Sequence, residues 1–180
     1  MKACIYLFLF MMFVPTCLAQ TRYYNESKEI HSNDYTYTCE VRKKLLVTLY
    51  NTEKTYIGIP QVSLATKIKV DEQGGAPLLS DDQTTYKKCL QISNEVLRDF
   101  LLSNPSKNDV PLFVTMYINS QTGALQDVSF IFPYVSVYNT LPIDTLRTLE
   151  LRLKNEMRFS PTDSGREVNY IYRRVIYYLE

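Results

Sequence analysis

The sequence has no tryptophan, a single histidine and only five glycines, and its charges cancel to a net of +1. Each shortage removes a class of function. His31 falls in a polar stretch near the N-terminus, so neither a Ser-His-Asp nor a Cys-His arrangement can be assembled on an ordered scaffold. Zinc would have to be held by His31, Cys39, Cys89 and carboxylates with no paired ligand spacing among them. Asp71-Glu72 and Asp81-Asp82 offer oxygen donors without EF-hand spacing, so no metal site is expected. Gly74-Gly75 is neither followed by a Lys-Ser/Thr pair nor placed between a strand and a helix with the right spacing, and no nucleotide cofactor is implied. The longest basic clusters are pairs, Lys43-Lys44, Lys87-Lys88 and Arg173-Arg174, which lack the concentrated charge of nucleic-acid binders.

What is present at the N-terminus has the anatomy of a signal peptide: Lys2, an apolar stretch from Ala3 to Val14, a breaking Pro15, and Thr16-Cys17-Leu18-Ala19 leading to a cut after Ala19. The apolar run falls short of the roughly 20 residues that span a bilayer, so residues 1–19 are expected to be removed, leaving no membrane span. Cys17 offers a second route, cleavage before it and lipid anchoring. Val14, Pro15 and Thr16 fit that route poorly, and soluble export to the periplasm or the medium is the expectation. Loss of Lys2 leaves 19 basic residues against 19 acidic ones, so no electrostatic partner is implied. Cys39 and Cys89 remain as an even pair in an oxidising compartment and predict a disulfide; the other reading is two buried thiols packing as small hydrophobes.

Residues 20–34 are polar without an apolar period and read as a flexible leader, with a single α+β domain over 35–180. Val41, Leu45, Val47 and Leu49 share one parity and predict a strand over 41–50. Further β-branched runs cover 55–59 and 62–70 around Pro60, and 71–77 is a loop. Tyr86, Cys89, Leu90, Val96, Leu97, Phe100 and Leu101 repeat at three and four, a helix over 83–102 that stops before Pro105. Leu112, Val114, Met116 and Ile118, then Val128, Phe130 and Phe132, alternate on either side of Gly123 as a β-hairpin. Ile143, Leu146, Leu149, Leu153 and Met157 mark a second helix over 142–157. Val168 to Leu179 is a final strand, so the fold class is α+β, an antiparallel sheet with two helices on one face.

Leu112 to Ile118 with Gly123, Leu125 to Phe130, and Arg158-Phe159-Ser160-Pro161 before Val168 to Tyr178 give the order strand, turn, strand, helix, aromatic-x-Pro corner, strand. About residues 110–179 thereby resemble the C-terminal domain of TonB-like proteins, here in an uncharacterised exported family of Bacteroides type. The resemblance implies a small sheet that presents its last strand to a partner. A removable signal and a short leader replace the membrane helix and proline-rich spacer of energy-coupling members, so force transmission is not implied. No functional residue is carried over from that family.

Fifteen tyrosines are the other unusual feature, and Tyr170, Tyr172, Tyr177 and Tyr178 sit in or beside the final strand with Arg173 and Arg174. Tyrosine supplies contact area and a hydroxyl to an interface, and equally covers the outer face of a sheet. A long terminal strand at an edge either recruits a partner strand or needs protection, which Arg173 and Arg174 would supply. The function expected is therefore non-catalytic: an exported module binding an envelope protein or peptide through these residues. The alternatives are a small exported hydrolase using carboxylates such as Glu150 and Glu156, both expected on the exposed side of the second helix, or a self-associating structural protein forming homodimers through the sheet edge.

Overall fold

The computed structural model describes residues 22–32, 34–70, 77–80, 82–104 and 110–178. The expected signal segment 1–19, the Cys17 alternative and the Gly74-Gly75 loop lie outside the described residues.

Six antiparallel strands form one sheet in the order β1-β2-β3-β5-β4-β6. They are β1 (Lys28–Ser32), β2 (Tyr35–Arg42), β3 (Leu46–Asn51), β4 (Leu112–Ile118), β5 (Leu125–Pro133) and β6 (Ile171–Tyr177). Alternation decides which face is buried. Leu112, Val114, Met116 and Ile118 of β4 are all fully buried, and Val47 and Leu49 of β3, Phe130 and Phe132 of β5 and Val175 of β6 join them in one core. Helix α1 (Asp82–Ser103) and helix α2 (Ile143–Glu156) cover that face with Cys89, Ile92 and Leu97, and with Leu146, Leu149 and Leu153. α1 packs on α2 and β6, and α2 packs on β5. A one-turn helix, α3 (Asp163–Arg166), precedes β6.

The β4–β5 turn depends on Gly123, whose φ is 70° and whose Cβ, if present, would lie 2.0 Å from the Phe159 carbonyl oxygen. That close approach joins the hairpin to the Arg158-Phe159-Ser160-Pro161 corner, where the Phe159 N–H donates to the Gly123 carbonyl at 3.1 Å.

Four expectations are corrected. The leader over 20–34 contains β1, paired along β2 from Lys28 opposite Cys39 to Ser32 opposite Tyr35, and Tyr24 lies in the core with its hydroxyl donating to the Leu141 carbonyl at 2.6 Å. Polar strand residues hid it, because an edge strand with one side in water needs few apolar side chains. The single strand over 41–50 is a hairpin, since Lys43 and Lys44 take φ of 51° and 52° and turn the chain so that Arg42 faces Leu46. The runs over 55–59 and 62–70 are loops with isolated bridges, Val62 to Lys69 and Ser63 to Val168. Finally, Cys39 and Cys89 are free, buried thiols and not a disulfide. Cys39 lies on β2, and Cys89 lies on α1, which packs on β6. At roughly 4.8 Å per strand, the four steps from β2 to β6 span about 19 Å, far beyond the ~7 Å Cα separation a disulfide tolerates.

Candidate functional site

β6 is one edge of the sheet. Its partner β4 takes Ile171 opposite Ile118 through Tyr177 opposite Leu112. Two bonds reveal which backbone groups point away from β4. The Tyr170 carbonyl accepts from Gln61 Nε2 at 2.7 Å, and the Ile176 carbonyl accepts from the Tyr86 hydroxyl at 3.4 Å. In an antiparallel strand the N–H and C=O of one residue point the same way and alternate along the chain. The even-numbered groups therefore face outward, and the N–H and C=O of Tyr172 and Arg174 have no backbone partner among the described residues. The start of the edge is closed: the Leu64 N–H donates to the Glu167 carbonyl at 2.7 Å and the Asn169 N–H to the Val62 carbonyl at 3.1 Å.

The opposite edge is managed differently. β1 is five residues long and carries Lys28, Glu29 and His31, charged or polar side chains that blunt strand addition. β6 has seven residues and borders an open groove of 360 Å³ lined by Gln83, Tyr86 and Lys87 of α1 and by Arg173 and Arg174. Three cationic side chains thus stand beside the outward backbone groups. Arg174 lies across the outer sheet face, its guanidinium 5.5 Å from the Tyr172 ring centroid and 5.7 Å from that of Phe113, with Nε 3.4 Å from the Thr115 hydroxyl.

The six residues expected to bind a partner do not form one surface. Tyr170 and Tyr177 are buried: Tyr170 stacks on Tyr56 at 4.9 Å and donates to the Ile59 carbonyl at 2.7 Å, while the Tyr177 hydroxyl donates to Asn94 Oδ1 at 2.6 Å. They hold the loop and α1 onto β6. Tyr172 and Arg174 share the outer face, and Tyr178 is 51% exposed just past the strand. Tyr172 meets Tyr117 edge-on at 5.7 Å, so tyrosines do cover the outer face of this sheet. Gln83, Tyr86 and Lys87 were missed as site residues. Tyr86 reads as part of the apolar stripe of α1, and only the packing of α1 on β6 turns it toward the edge.

A second polar cluster lies between β2 and α2. Glu150, expected on an exposed surface, is fully buried. Its Oε2 accepts from the Tyr37 hydroxyl and from Arg147 Nη1 at 2.9 Å, and its Oε1, without a well-aligned hydrogen bond, lies 2.6 Å from Lys154 Nζ as an ion pair. Burial and the adjacent carboxylate push the Tyr37 hydroxyl far above its ordinary range, which keeps it a donor. Glu156 instead pairs with Arg152 at 2.6 Å on the exposed side. The two carboxylates named for hydrolysis are each occupied by cations of their own helix.

A third carboxylate, Asp127 of β5, is buried and accepts the backbone N–H groups of Thr55, Tyr56 and Ile57. It clamps the loop that covers the start of β6. Among the described residues no group of three or more His, Cys, Asp or Glu could hold a metal ion, and no helix is long and apolar enough to cross a membrane.

No curated protein matches the chain. A crystal structure of a DUF5043 family protein from Bacteroides uniformis ATCC 8492 is similar to it with a TM-score of 0.79, at 24% identity over 87% of this chain and 93% of that one. At that identity the likeness speaks for the fold alone. The model of the family described as Domain of unknown function (DUF5043) matches residues 20–174, and the chain belongs to that family.

Proposed function

We propose that the protein is a non-catalytic exported binding module that accepts an extended, carboxylate-bearing peptide segment of an envelope protein as a seventh strand on β6. The observation that carries this reading is the pair of outward N–H and C=O groups on Tyr172 and Arg174, lying beside a groove lined by Lys87, Arg173 and Arg174. Strand addition draws affinity from main-chain hydrogen bonds and selectivity from side chains beside the edge. Arg174, already laid over Tyr172 and Phe113, needs little rearrangement to meet an incoming carboxylate. Buried Glu150 has its oxygens engaged by Tyr37, Arg147 and Lys154, which favours binding over carboxylate catalysis. The likeness of residues 110–179 to TonB-like C-terminal domains, which present a final strand to a partner, supports the same reading. The polar and apolar pattern of residues 1–19 supports removal of that segment during export.

The test is capture from an envelope extract with the wild type and a Tyr172→Pro variant, followed by amide hydrogen exchange on the complex. Proline removes an outward donor and leaves the β4 ladder intact, because Tyr172 points away from β4. A partner retained by the wild type and lost by the variant, with new protection at Tyr172, Arg174 and Ile176, supports strand addition. Capture that ignores the proline, or protection elsewhere, overturns it. A concentration-dependent dimer showing the same protection would assign the edge to a second copy of the chain instead.

A further inference from the structure

We propose that the tip of the β2–β3 hairpin docks onto an anionic lipid surface. Lys43 and Lys44 occupy the turn with φ of 51° and 52°, a left-handed region that penalises L side chains and that glycine or asparagine fills in most tight hairpins. The hairpin closes through the Leu45 N–H, which donates to the Arg42 carbonyl at 2.9 Å. Leu45 and Leu46 follow at 67% and 40% exposure, and Val135, at 70%, is brought alongside because the Tyr134 N–H donates to the Leu45 carbonyl at 2.8 Å. Three apolar side chains therefore stand in water at one end of the sheet, next to two lysines.

The charges identify the occupant. Arg42 is paired with Glu40 at 3.1 Å, while neither Lys43 nor Lys44 has a carboxylate within ion-pair distance among the described residues. Leucines and a valine entering the headgroup boundary, with lysines at the level of the phosphates, form the arrangement that binds anionic membranes from one side. A protein partner fits less well. Stable protein interfaces bury about 800 Å² per partner over some 20–30 residues, and a projecting hairpin tip offers a handful. This surface is separate from the β6 edge, since β2 and β6 lie four strands apart.

The experiment is co-sedimentation of the protein, produced with its own first 19 residues and recovered as the host leaves it, with vesicles of phosphatidylcholine alone or mixed in equal parts with phosphatidylglycerol. The wild type is expected to bind the mixed vesicles more strongly, and added salt weakens that binding. Lys43→Gly with Lys44→Gly removes both charges while relaxing the turn, so the hairpin survives, and binding falls about fivefold per cation. Leu45→Ser with Val135→Ser keeps the charges and also weakens binding. Ile68→Ser is the matched control: Ile68 is 68% exposed, in the loop bridged to Val168 beyond the opposite end of the sheet, and its loss leaves binding unchanged. Equal binding by wild type and both tip variants, no preference for the anionic vesicles, or an effect of Ile68→Ser as large as that of the tip variants overturns the proposal.

Discussion

The hydroxyl of Tyr37 on β2 donates to the buried carboxylate of Glu150 on α2, tying the helix layer to the N-terminal half of the sheet. Removing one partner of such a bond leaves the other desolvated and unpaired, which costs more than the bond contributes. Tyr37→Phe is expected to lower unfolding free energy by about 1–3 kcal/mol. Glu150→Ala, which strands Arg147 and Lys154 against each other, lowers it by at least as much. Urea denaturation of the two single variants and the double variant checks this, and the pair of losses combines to less than their sum because the sites share one network.

Gly123→Ala meets two obstacles at once, a left-handed φ and a carbonyl oxygen 2.0 Å from the new Cβ. The Phe159 corner must move, so the expected loss is about 3 kcal/mol or more, visible as a lower urea midpoint. An alanine introduced at Gly58, whose φ is 88° but which has nothing within 4 Å of its Cβ position, meets only the backbone penalty and costs less.

Asp127→Ala frees the N–H groups of Thr55, Tyr56 and Ile57 without disturbing the β4–β5 pairing on either side. Amide exchange at those three residues is expected to accelerate, with a stability loss of about 1–3 kcal/mol. Their unchanged exchange would show that the loop is held by other contacts, such as the Tyr56–Tyr170 stack.

Burial pushes the Cys89 thiol up to about 12 and the Cys39 thiol up to about 11, from an ordinary 9.0. Both stay protonated at neutral pH, so a thiol reagent should label neither in the folded protein and both after denaturation. The sign of the pH effect follows. A folded-state value above the unfolded one gives stability that is complete below about pH 9 and is lost as the pH rises toward 11 and 12. Replacing both cysteines with alanine should make the alkaline decline in urea midpoint shallower.

The alternation of Leu112 to Ile118 and of Val128 to Phe132, and the three-four spacing of Leu146, Leu149 and Leu153, matched the structure because each reports one apolar face turned to the core. The misreadings came where periodicity carried no information. Leu45 shares the parity of Val47 and Leu49 yet stands exposed, because two lysines reverse the chain without glycine. Glu150 looks like a surface residue by type, and the phenol of Tyr37, 113 positions away in sequence, joins Arg147 and Lys154 of its own helix in making its burial tolerable. Of the candidate site, Tyr172 and Arg174 were legible in the final strand, but Tyr170 and Tyr177 proved to be packing residues and Gln83, Tyr86 and Lys87 were not identified.

The sequence by itself determined the α+β class, the helix stripes, the hairpin around Gly123 and the terminal strand, since these rest on local patterning and on the angles that glycine and proline allow. Tertiary structure alone decided that β6 is an edge, that Cys39 and Cys89 lie too far apart to bond, and that α1 stands beside the outward groups of Tyr172 and Arg174. Those facts depend on strand order, and strand order is set by how the apolar faces of all the elements close on one core, a global condition that no local window contains.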